Sequence, residues 1–180
     1  TLGIEFKNYF KKHYDTFAGT ADLYVYFFEK AHKLLKKDCF FGMISSNKFI
    51  RAKYGTNLRK FLLEKSKLNQ IIDFGELPVF QNASTFPAIF LTQNTQVKHQ
   101  ETLFAPVKTL NFFSLGEEIK KIQIMIDDRS LGNNGWTLSD EKETRILLKM
   151  EETSKHLGNY INNNIFSGVK TGLNEAFVID

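Results

Sequence analysis

Apolar residues along this chain return at helical spacing in some segments and run together in short stretches in others, and the two kinds of segment alternate. Ile4, Tyr9, Phe10 and Tyr14 stand against Lys and Asn, which predicts a short amphipathic helix over residues 4–14. Gly19 breaks the pattern, and Thr20 is an expected N-cap with Asp22 in the first turn. Leu23, Phe27, Ala31, Leu34 and Leu35 then recur at helical spacing, so this stripe is expected to be the buried face. Lys33, Lys36 and Lys37 suit the carboxyl end of that helix, and Asp38 ends it. Residues 39–45 are a short apolar run, expected as a strand covered on both faces. A further helix over 58–65, capped by Thr56 or Asn57, leads to strands over 68–74 and 86–92, with 103–107 as a weaker edge strand. Helix-then-strand alternation predicts an α/β layered sheet with mostly parallel strands.

Past Pro106 the pattern changes. Residues 109–126 include the helix-like run LGEEIKKIQIMI, and DDRSLGNNGW is a turn-rich break. A polar helix over 141–155 follows, with Ile146, Leu147 and Met150 on one side, and Gly158 closes it. NNNIFSGVKTGLNEAFVID reads as two short strands around a turn, so the chain is expected to enter a second domain.

Composition narrows the classes. Eighteen Phe among 180 residues can furnish a sizeable core, and a formal net charge of +4 permits a polyanionic partner without demanding one. The single Cys39 excludes an internal disulfide and is expected to be a buried thiol in a reducing cytoplasm. No apolar run approaches a membrane span, and the amino-terminal charges do not form a signal peptide. The chain opens without Met in mid-pattern, as a piece of a longer polypeptide would.

Several chemistries lack their residues. His13, His32, His99 and His156 are scattered and pair with no ligand at metal spacing, so no metal site is expected. There is no nucleophile-elbow serine, Walker loop or GxGxxG. Asp73, Glu76 and Asp127–Asp128 are expected as caps and turns rather than nuclease ligands. Lys48, Arg51 and Lys53 follow the first strand directly. Cations at the carboxyl end of a parallel strand can meet a phosphate backbone, and a solvated basic loop is an equally weighted reading.

The ordered series TADLYVYFFEKAHKLLKKD, CFFGMISSNKFI, LRKFLLEK and IIDFGELPVFQNASTFPAIFLTQ, over residues 20–91, resembles the carboxyl-terminal half of the catalytic domain of DNA adenine-N6 methyltransferases. The nearest kind is that fused to a nuclease in type IIG (IIS-like) restriction–modification enzymes. The family's cofactor-binding glycine loop and its Asn-Pro-Pro-Tyr motif occur nowhere in the chain. The resemblance implies the second half of a Rossmann-like sheet dependent on S-adenosylmethionine over 1–108. A helical connector over 109–135 and the start of a target-recognition domain over 136–180 would follow. It implies double-stranded DNA as partner, no membrane, a cytoplasmic setting and inactivity of this piece alone. The missing amino-terminal half of the same polypeptide would be the other partner, and self-association is expected in its absence. It assigns Phe80 to stacking on the flipped target base, with Phe86 as rival, and Phe27 to the adenine pocket of S-adenosylmethionine. GVKTGLNEAFVID resembles the opening of the recognition domain, which makes Lys170, Thr171 and Asn174 candidate DNA contacts. A non-enzymatic DNA-binding or specificity module with an inherited fold is the alternative, and an RNA or protein methyltransferase is a further one.

Overall fold

The computed structural model describes residues 3–81, 85–97, 99, 101–127, 131–132, 135–139, 141–164 and 166. Helix α1 (Ile4–His13) carries Glu5 in its first turn and Lys11, Lys12 and His13 in its last, in keeping with the helix dipole. Its Phe10 ring stacks on Tyr26 at 4.0 Å. Helix α2 (Leu23–Leu34) starts two residues later than expected, because Asp22 rather than Thr20 caps it and accepts from the Leu23 N–H at 2.7 Å.

The buried face of α2 is not the expected stripe. Val25, Tyr26, Phe28, Glu29 and His32 point inward, while Leu23, Phe27 and Leu34 are exposed. Two polar side chains can occupy the inner face because both are satisfied there. The Glu29 carboxylate accepts from the Asp15 and Thr16 N–H groups and from Thr16 Oγ1, and pairs with Lys33 Nζ at 2.5 Å. His32 bonds the Phe28 carbonyl and the Thr92 hydroxyl at 2.9 and 3.0 Å.

The main sheet has five strands in the order β1-β3-β2-β4-β5: β1 (Phe40–Ser46), β2 (Lys67–Asp73), β3 (Pro87–Gln93), β4 (Glu101–Pro106) and β5 (Ile124–Asp127). Its α/β class is as expected, but its strands are not mostly parallel. Only β2 and β4 pair parallel, whereas β3 runs antiparallel to both neighbours and β5 to β4. The connections explain this. Helix α3 (Thr56–Lys65) carries the chain from β1 to β2, so these two strands point the same way. The described residues of the 74–86 connection form no helix, and the chain returns antiparallel into the space between them.

Strand β1 lies at one edge. Phe41 and Met43 pack on the core while Phe40 and Ile44 are exposed, so it is not covered on both faces. Cys39 just precedes it and is exposed, not buried. Strand β4, expected at an edge, is internal.

Both faces of the sheet are covered around β2. Ile71 joins Phe28, Phe49, Leu58, Leu62 and Phe90 on one side. Ile72 joins Phe74, Ala105 and Val107 on the other, under helix α4 (Leu115–Ile122). The helix-like run over 109–126 therefore splits, and Ile124 and Ile126 enter β5. A short hairpin follows, β6 (Leu131–Gly132) with β7 (Gly135–Trp136). The stretch read as a helical connector thus completes the sheet, and Ile126, Leu131 and Trp136 belong to the first core. Packing divides the chain into Thr1–Thr144 and Arg145–Asp180. Helix α5 (Glu141–Thr153) crosses that division, and α6 (Leu157–Tyr160) lies in the second unit. The two strands expected near the carboxyl end fall largely outside the described residues.

Burial lowers the His32 pKa against the opposing effect of the Phe28 carbonyl. Burial alone would raise that of Glu29, but Lys33 and the Thr16 and Asp15 donors together hold it below the usual carboxylate range. A depressed folded-state pKa contributes stability that is present above the unfolded value and lost as pH falls through the folded one. Acidification therefore weakens both groups, His32 first, beginning below about pH 6.5. The urea midpoint is expected to fall between neutral pH and about pH 5, and His32→Gln to flatten that slope. Equal slopes in the two proteins would refute the role of His32.

Candidate functional site

The carboxyl ends of β1 and β2 lie side by side, separated only by the start of β3, since Ser46 faces Pro87 and Asp73 faces Ala88. Two loops leave from there. In the first, Ser46 Oγ accepts from the Lys48 N–H at 3.3 Å and opens a 3-10 turn over Asn47–Ile50, followed by a second over Lys53–Gly55. Phe49 and Ile50 drop into the core, which leaves Lys48, Arg51 and Lys53 exposed.

Arg59 of α3 fixes this loop from beneath. Its guanidinium is buried and donates through Nη1 to the carbonyls of Phe49 and Ala52, and through Nη2 to Thr56 Oγ1 at 3.1 Å. Burial lowers its pKa. Gly55 sits so close to the Phe49 carbonyl that a Cβ there would come within 2.1 Å of the oxygen. Trp136 buttresses the other side, edge-on to Phe49 at 5.8 Å. A Tyr24–Tyr54 hydroxyl bond of 2.8 Å ties the loop to α2, and burial followed by that bond raises the Tyr24 pKa and keeps its phenol protonated.

The second loop carries Phe80. Asp73 Oδ1 accepts from the Gly75 N–H and from Asn47 Nδ2, both at 2.9 Å, so one carboxylate shapes its start and joins it to the first loop. Asp73 is thus a cap, as its position suggested. Gly75 takes the left-handed φ of +54°. Leu77 and Val79 pack on the Ile72 cluster, and Phe80 beyond them is 46% exposed. Phe86 closes the loop: its carbonyl accepts from the Asn47 N–H at 2.8 Å, and the Lys48 ammonium lies 5.5 Å from its half-buried ring.

Lys48, Arg51, Lys53 and Phe80 are therefore brought to one end of the sheet. Phe27 lies one turn into α2 beyond the Tyr24–Tyr54 link, with its ring 57% exposed and off the core. Lys170, Thr171 and Asn174 lie outside the described residues. Among the described residues no group of three or more His, Cys, Asp or Glu could hold a metal. No helix of the described residues is long and apolar enough to cross a membrane. Arg59, Gly55, Asn47 and Trp136 were not singled out from the sequence. Arg59 carried a signal, since it stands among Leu58, Phe61 and Leu62 on the apolar side of its helix.

Residues 1–80 match the Eco57I restriction-modification methylase family. Through that segment, which is less than half of the chain, it is similar to that family. It is also 29% identical over 170 residues to the type II restriction enzyme and methyltransferase RM.Eco57I of Escherichia coli, covering 94% of this chain and 17% of that protein. It is 25% identical to the type II methyltransferase M.BstVI of Geobacillus stearothermophilus, covering 95% of this chain and 33% of that protein. The chain thus spans a third or less of these two relatives. In fold it resembles the type IIG restriction endonuclease BpuSI, with a TM-score of 0.54 at 15% identity over 77% of this chain and 18% of that one.

The Gly55 contact yields a direct test. Gly55→Ala is expected to lower stability by about 1–3 kcal/mol, the usual range for forcing extra volume into packed structure. Chemical denaturation measures it, and a wild-type midpoint would show that the Phe49 carbonyl yields without cost.

Proposed function

We propose that this chain is the base-clamping and DNA-facing part of a site-specific DNA adenine-N6 methyltransferase, in a restriction–modification or phage-defence enzyme. The observation that carries the reading is the half-exposed Phe80 ring on a pinned loop, beside three exposed cations at the same end of the sheet. An adenine amino nitrogen is out of reach inside a stacked duplex, so the base must swing out, and a ring face then replaces its lost stacking. Base–aromatic contacts of this kind contribute about 1–3 kcal/mol. Lys48, Arg51 and Lys53 provide the phosphate contacts that hold the duplex while the base is out. A structural neighbour, DrdV, was solved as a complex with DNA; at 14% identity the likeness is of fold, and it is compatible with a duplex partner.

The residues present fit one wall of a site for S-adenosylmethionine. Phe27 offers an apolar ring face to an adenine, free of the core and near the ligand end of α2. When bound, the cofactor supplies an electrophilic methyl group. The residues of this chain bind and orient, and hydrogen bonding to the target amino group is assigned to an Asn-Pro-Pro-Tyr motif elsewhere in the polypeptide. Among the described residues β1 pairs on one side only. Its free edge, with exposed Phe40 and Ile44 beside it, fits a further strand from the amino-terminal half. Without that half the edge favours self-association. The second unit, Arg145–Asp180, opens the target-recognition domain rather than the whole of 136–180, since Trp136 belongs to the first core; Lys170, Thr171 and Asn174 are its candidate DNA contacts, and a nuclease fused in the same polypeptide completes the proposal.

The test uses the full-length polypeptide with duplex DNA and methyl-labelled cofactor. Label is expected in N6-methyladenine, with turnover about ten-fold lower or more in Phe80→Ala, in line with loss of one stacking contact. Label without a mutant effect would move the clamp to Phe86. Tight DNA binding with no label on any DNA would favour a recognition module over an enzyme.

A further inference from the structure

Phe113 is fully exposed, and its position is what distinguishes it, since isolated surface phenylalanines are common. Strand β4 runs parallel to β2 and ends opposite Asp73, and the Val107 N–H continues the pairing by donating to the Asp73 carbonyl at 2.8 Å. The 107–114 loop therefore leaves from the same end of the sheet as the Phe80 loop. It is ordered by its own bonds, from the Asn111 N–H to Thr109 Oγ1 at 3.0 Å and from the Phe112 N–H to the Leu110 carbonyl at 3.1 Å. Phe112 packs on the Ile72 cluster that also takes Leu77 and Val79. Each loop thus anchors on that cluster and presents the next residue, Phe80 or Phe113, to solvent. Lys108 is exposed on the same loop.

We propose that Phe113 is a second DNA-contacting ring, stacking on a base next to the one held by Phe80, with Lys108 against the adjoining phosphate. This deepens the methyltransferase reading and rests on it. Flipping one nucleotide breaks its stacking with both neighbours, so an apolar face is needed beside the gap as well as around the extruded base. Phe113 serves affinity for the opened duplex, while Phe80 serves presentation of the reacting base. The nucleobase is the occupant that fits, because the loop leaves from the same end of the sheet as Phe80 and the exposed Lys48, Arg51 and Lys53, and carries a cation of its own in Lys108.

The experiment uses the full-length polypeptide and a short duplex carrying the site read from methylated plasmid DNA. Fluorescence anisotropy gives Kd, and single-turnover methylation at saturating DNA gives the rate. Phe113→Ala is expected to raise Kd about ten-fold, as loss of one stacking ring does elsewhere, and to lower the saturated rate far less than Phe80→Ala. Phe113→Trp is expected to restore binding. With the ring fully exposed, both Phe113 variants are expected to melt with the wild type. Wild-type Kd in Phe113→Ala, alongside methylation by the wild type, overturns this inference and leaves the proposed function standing. A raised Kd that Trp does not rescue, or a lowered melting temperature with DNA affinity intact, assigns the ring to protein packing and also overturns it. A wild type that neither binds nor methylates DNA overturns both.

Discussion

Strand β3 must be hydrogen-bonded on both sides at once, and the arrangement of the rest follows from that. It fills the space between two strands that run the same way and holds their carboxyl ends about one strand spacing to either side. Both loops at those ends then open toward one region, and a single carboxylate, Asp73, can reach both. With the strand in place, Asn47 bonds both Asp73 and the Phe86 carbonyl that leads into β3.

The loop after β1 joins a dry underside to a charged outer side. Beneath it, the buried Arg59 guanidinium donates to two carbonyl oxygens and a hydroxyl. A planar guanidinium with several fixed donors suits that task, whereas an ammonium would not span the same acceptors. Above it, Lys48, Arg51 and Lys53 are exposed to water. In the proposed function, a backbone pinned in this way would confine the ordering cost of binding to the exposed side chains.

How much could be read beforehand differs from element to element. The alternation of helix and strand was legible, because Leu58–Leu62 and the run ending at Phe74 have clear periods. Strand direction was not, because hydrophobic period carries no information about pairing. The face of α2 was misread for a physical reason. Glu29 and His32 looked like solvent residues, yet main-chain donors from Asp15 and Thr16 and the Thr92 hydroxyl, all distant in sequence, satisfy them inside. The exposed stripe that resulted, Leu23, Phe27 and Leu34, looks like core in a linear sequence. At the site, Phe80 and Phe27 were named through family likeness, and the basic trio through its place after a strand. Arg59, Gly55 and Trp136 were missed because their importance lies in contacts with Phe49, which no local pattern encodes.

The position of β3 also sets an order of events in time. It is the last of the first three strands in sequence but lies between the other two, so β1 and β2 have no ladder until residues 87–93 exist. On a ribosome, residues 40–73 would emerge with their strands unpaired, and closure would come through contacts up to about fifty positions apart, as between Phe40 and Gln93. Pairings of that range close slowly, since loop entropy is lost before any contact forms. During that interval the aromatic-rich β1 segment is the part of the nascent chain most in need of shelter from other strands.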